Sequence, residues 1–100
     1  MVTIFNNSQD IEKAISIIEW SRQYMELNQA HISKIGHVEA SLVILRRTNG
    51  ALDIPADQAA LVVSTLKNCI KFYDLNSATP VDKAWADSLT ALKTVPANWF

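Results

Sequence analysis

The sequence predicts an all-α domain, a small bundle of three to four amphipathic helices, and three observations carry that expectation. Apolar residues recur at spacings of three, four and seven along most of the chain. Pro55, Pro80 and Pro96 each stand at the edge of such a periodic segment, and only two glycines occur in 100 residues. Hydrophobic residues make up 49% and charged residues 19%, a balance that favours a packed core over a disordered chain. The expected helices cover residues 8–35, 37–48, 55–75 and 80–95, and the first two could run together as one.

The first helix opens after Asn6, Asn7 and Ser8, residue types that favour turns and caps. With Asn7 as N-cap, Asp10 takes the third helical position, where a carboxylate meets free backbone N–H groups and the positive end of the dipole. One apolar stripe runs through Ile11, Ala14, Ile15, Ile18, Met25 and Ile32, and a second through Ile17, Trp20, Tyr24 and Leu27. A face that wide needs more than one neighbour, and a second copy of the chain could be one of them.

No proline interrupts residues 8–54, yet a helix of that length is far above the mean of about 11–12 residues. A break is expected either at Asn28 to His31, where polar residues cluster, or at Gly36 in a left-handed C′ position. Val38, Leu42 and Leu45 continue the apolar pattern until Arg46, Arg47, Thr48, Asn49 and Gly50 close it. Residues 51–54 read as a linker to Pro55, whose fixed φ suits a first helical turn, with Asp57 close behind.

The third helix buries a stripe of Ala59, Val62, Val63, Leu66, Cys69, Ile70 and Tyr73 and ends near Asn76. Thr79, Pro80 and Asp82 then read as N-cap, first position and capping acid of a fourth helix. Its apolar face is Val81, Ala84, Trp85, Leu89, Leu92 and Val95, and Pro96 stops it. The tail ends on Trp99 and Phe100, large aromatics that gain by being covered.

No internal repeat or long linker divides the chain, so residues 1–100 read as a single domain. A domain this small buries only about two thirds of its unfolded surface, which leaves a thin margin that a partner subunit would widen. Nine basic against ten acidic residues give a formal charge of −1, so no global field draws nucleic acid or an anionic membrane. No apolar run approaches the ~20 residues of a membrane span. The lone Cys69 and the lack of a basic-then-apolar leader fit a reducing compartment, and the expected location is cytoplasmic.

Few residues invite chemistry. His31 and His37 lie six apart, about 120° around a helix, and cannot chelate one metal together, so no metal is expected. Cys69 sits on a buried stripe, where a free thiol packs as a small hydrophobe. No G-x-S-x-G elbow is present, and two isolated glycines, Gly36 and Gly50, cannot form a phosphate-cradling loop. Glu12 with Glu19, and Asp82 with Asp87, have the spacing of solvated helix faces. The expectation is accordingly no catalytic residue, no cofactor and no enzyme. A helix-turn-helix would require a basic recognition helix, and Lys67 and Lys71 are offset by Asp57 and Asp74, so duplex binding is not expected.

Two groups remain. Arg46 and Arg47 suit a helix C-terminus, and with Lys67 and Lys71, four apart on one helix, they could form a basic patch for an anionic ligand such as a nucleotide phosphate. Trp20, Tyr24, Leu27, Trp99 and Phe100 are the interface candidates. The reading that follows is a non-enzymatic helical interaction or regulatory protein, an inhibitor, adaptor or regulatory subunit, that forms a homo-oligomer and binds a protein partner. The alternative is a sequestering protein that holds an anionic small molecule between helices or subunits.

Overall fold

The computed structural model describes residues 2–27, 35–47, 50, 52–76 and 81–85. In chain order these form β1 (Val2–Phe5), α1 (Ser8–Leu27), α2 (Ile35–Arg46), β2 (Leu52–Ile54) and α3 (Ala56–Asn76). Helical backbone resumes at residues 83–85. The architecture is a small helical bundle with one two-stranded sheet. Each of α1, α2 and α3 packs on the other two, and β1 lies against α1 and α3.

The start of α1 follows its sequence signal. Asn7 Oδ1 accepts the Asp10 backbone N–H at 2.9 Å, and Asn7 Nδ2 donates to the Asp10 carboxylate at 3.0 Å, a reciprocal cap that satisfies one of the helix's free donors. Ile11, Ala14, Ile17, Ile18 and Ser21 are buried. Both apolar stripes of α1 therefore find neighbours within the chain, on α2 and α3. Ser21 sits among these apolar residues because its single hydroxyl proton has two acceptors within reach, the Ile17 carbonyl at 2.8 Å and the Cys69 carbonyl of α3 at 3.2 Å.

Because α1 packs against α2, residues 8–46 are two helices and not one. The break is not at Gly36. That residue lies in the first turn of α2, which begins at Ile35, and has no left-handed φ; the polar cluster Asn28 to His31 lies outside the described residues. The turn that follows α2 does use a left-handed glycine, since Gly50 has φ +90°.

Of residues 51–54, expected as a linker, Leu52–Ile54 supply half of a sheet. β2 pairs antiparallel with β1, Val2 opposite Ile54, Thr3 opposite Asp53 and Phe5 opposite Leu52, and the register shifts between Thr3 and Phe5. The extra residue is Ile4. Such a bulge re-aims side chains, and here both Phe5, buried, and Ile4, partly buried, pack on the core instead of facing opposite sides of a regular strand.

α3 packs against α1, α2 and β1. Pro55 offers its carbonyl to the Ala59 N–H at 2.9 Å, so it stands at the cap of the helix. The expected stripe of Ala59, Val62, Val63, Leu66, Cys69 and Ile70 is buried, while Tyr73 is partly exposed. Ala60, Ser64 and Thr65 are buried too, since α3 has neighbours on several sides. Ser64 meets its polar requirement by donating to the Ala60 carbonyl at 2.6 Å.

The last described segment starts its helix later than expected. Asp82 Oδ1 accepts the N–H groups of Ala84 at 3.0 Å and Trp85 at 3.3 Å, so Asp82 is itself the N-cap and Val81 precedes the helix. The Val81 N–H is held by Asp74 of α3 at 3.2 Å. Trp85 then lies flat against Phe5, with ring centroids 6.0 Å apart and planes 8° from parallel, and the Lys13 ammonium stands 5.2 Å from its ring. Thr79, Pro80, Leu89, Leu92, Val95 and the Trp99 and Phe100 tail lie outside the described residues.

Candidate interaction surfaces

Among the described residues, two ion pairs bridge the seam between α1 and α2. Arg22 of α1 meets Glu39 of α2 at 2.8 Å, and Arg46 at the end of α2 meets Glu19 of α1. The pairing is antiparallel: the residue nearer the start of α1 takes the residue nearer the end of α2. All four side chains keep 35–55% of their surface in water, so each pair is a surface pair worth at most about 1 kcal/mol.

These four residues border a shallow groove of about 470 Å³ with Leu42 buried beneath it and Val43 at 47% exposure beside it. A second groove of about 460 Å³ follows the same seam toward Ser8 and Gly50, lined also by Glu12 and Ile15, and Arg46 borders both. Arg46 was singled out from sequence; Glu19, Arg22 and Glu39 were not. Each helix shows an acid and a base spaced by about one or two turns, but their union depends on how α2 folds back over α1, which spacing within one helix does not encode.

The basic patch does not assemble around these grooves. Arg46 lines both and is held by Glu19, while Arg47 is exposed in the turn after α2. Lys67 is partly exposed and Lys71 exposed on α3, and neither lines either groove. With Glu12, Glu19 and Glu39 around Arg46, the seam carries both signs of charge.

The aromatic candidates come together in the fold. Trp20 and Tyr24, one turn apart on α1, stack at 5.8 Å and 10°. Trp20 also meets Tyr73 of α3 edge-on at 5.2 Å and 68°, and Tyr24 meets Phe72 at 5.6 Å. All four rings are partly exposed. Three residues beyond Phe72, and so on the same side of α3, Leu75 is 76% exposed. Phe72 and Leu75 were not among the sequence candidates, although two adjacent aromatics near a helix end were a visible signal. Leu27 ends α1 with its side chain outside the description, as are Trp99 and Phe100.

Among the described residues no cluster of three or more His, Cys, Asp or Glu could hold a metal ion. His37 is exposed on α2, and His31 lies outside the described residues. Cys69 is fully buried; desolvation pushes its thiol up to about 12, against a smaller downward pull from the Ser21 hydroxyl, so it stays protonated and unreactive at neutral pH. No described helix is long and apolar enough to cross a membrane.

Fold and surface thus define a small helical bundle with one mixed-charge seam and one aromatic edge. No protein-family model matches the chain, and no curated protein or solved structure matches it.

Proposed function

We propose that this is a non-enzymatic interaction protein that self-associates and binds another macromolecule, with the aromatic edge of α1 and α3 as the surface for the second partner. The observation that carries the reading is that edge: Trp20, Tyr24, Phe72 and Tyr73 hold one another in fixed orientations while remaining partly in water, and the exposed Leu75 adjoins them. Rigid, half-desolvated aromatics lose little conformational freedom on binding and give large contact areas, which is why such residues dominate the energetics of interfaces. The anionic-ligand reading draws less support, because Glu19 neutralises Arg46 and the lysines of α3 stand away from the grooves.

Native mass spectrometry of the protein gently purified from its source cells tests the reading. A homo-oligomer carrying a stoichiometric protein supports it. Replacing Tyr24 and Leu75 together with Asp should then strip the second component while the circular dichroism spectrum stays helical. A bare monomer would overturn the proposal, and a discrete bound small molecule would favour the sequestering alternative.

A further inference from the structure

The two ion pairs of the α1–α2 seam have a property that goes beyond their small intramolecular worth. They form a two-by-two array in which every charge has the opposite sign at each adjoining corner: Glu19 one turn from Arg22 on α1, Arg46 two turns from Glu39 on α2, and the two cross-seam pairs between them. Such an array is its own complement under a two-fold axis lying in the face. Val43, between Glu39 and Arg46 in α2, is the exposed apolar residue nearest the middle of it.

From this we infer that the α1–α2 face is the contact between two copies of this chain, related by a two-fold axis that crosses both helices at the level of Val43. The inference rests on the self-association proposed above and assigns it a surface. The axis lays α2 antiparallel on α2 of the second copy. Glu39 then faces the second copy's Arg46, Arg46 faces its Glu39, Glu19 faces its Arg22, and Val43 meets Val43. An apolar centre with a polar, charged rim is the ordinary anatomy of an isologous interface. The second copy is the occupant the charges select: a uniformly acidic or basic partner would meet like charge at two of the four corners. The rim pairs set orientation more than affinity, since like charges brought face to face cost far more than exposed pairs gain.

A charge swap between two chains tests the arrangement. Analytical ultracentrifugation at roughly 0.1 mM should show a dimer for the native chain. Glu39→Arg alone places like charges opposite each other twice, as does Arg46→Glu alone, and each should weaken the dimer by about tenfold or more. Mixed in equal amounts, the two variants face each other with opposite charge at both sites, and a heterodimer should form. Val43→Asp, a change at an exposed position that spares the core, should also give monomers, with circular dichroism as the control for folding. A dimer that persists in all three single variants, or a mixture that stays monomeric, overturns this face while leaving self-association intact. A native chain that is monomeric overturns both.

Discussion

Cys69 shows at the scale of one residue how burial sets chemistry. Its thiol lies on the buried face of α3 with no exposure, and the cost of placing a thiolate there raises its pKa from 9.0 to about 12. The consequence for stability has a definite sign. Below pH 9 the thiol is protonated in folded and unfolded chains alike, and its contribution is fully present; above that the unfolded chain ionises first, and stability is lost as pH rises toward 12. Each pH unit in that window removes up to about 1.4 kcal/mol. Urea unfolding from about pH 8 to about pH 11 should therefore show the native chain losing stability faster than Cys69→Ala, which lacks the titrating group. Parallel losses in the two proteins would mean that solvent reaches the thiol in the folded state. The same core position explains Ser21, whose hydroxyl reaches the Cys69 carbonyl and ties α1 to α3 without leaving a polar atom unpaired.

At the scale of elements, the two glycines make opposite predictions. Gly36 lies in the first turn of α2 with open space where a Cβ would be, so Gly36→Ala should stabilise the fold by about 0.5 kcal/mol, through reduced freedom of the unfolded chain. Gly50 has equally open space but φ +90°, and Gly50→Ala should cost about 1–2 kcal/mol from backbone strain alone. Thermal unfolding of the two variants decides it, and a shift of the same sign in both would contradict the turn geometry. The contrast also bears on what the sequence made legible. The three long helices were readable because periodic apolar spacing and caps such as Asn7 with Asp10 are local signals. The break between α1 and α2 was not, because a glycine and a polar cluster both satisfy the rules for a helix end. The sheet was missed for a different reason: β1 has four residues and β2 three, too short to display alternation, and each exists by pairing with a segment about fifty residues away. The charge array shares that non-local origin. Glu19 and Arg46 are visible as charges, but their meeting is a product of helix packing. The aromatic edge was half legible, since Trp20 and Tyr24 are one helical turn apart while Phe72 lies on another helix.

At the scale of the whole molecule, one late residue joins the two ends of the described chain. Phe5 comes from β1, Lys13 from α1 and Trp85 from the segment after α3, and the indole contacts both of the others. It brings the end of the described chain onto its beginning, over the bulge that turns Phe5 inward. A domain of this size holds about 5–15 kcal/mol of net stability. Trp85→Ala, which empties a nearly buried site, should remove about 3–5 kcal/mol of it, whereas Lys13→Ala removes only an exposed cation–π contact worth about 0.5–1 kcal/mol. Urea denaturation of the two variants separates these magnitudes. If Trp85→Ala costs no more than Lys13→Ala, the ring is a surface cover and the core closes without it. If it costs several times more, the first and last described segments stabilise one another, and truncating either should loosen both in the same cooperative transition.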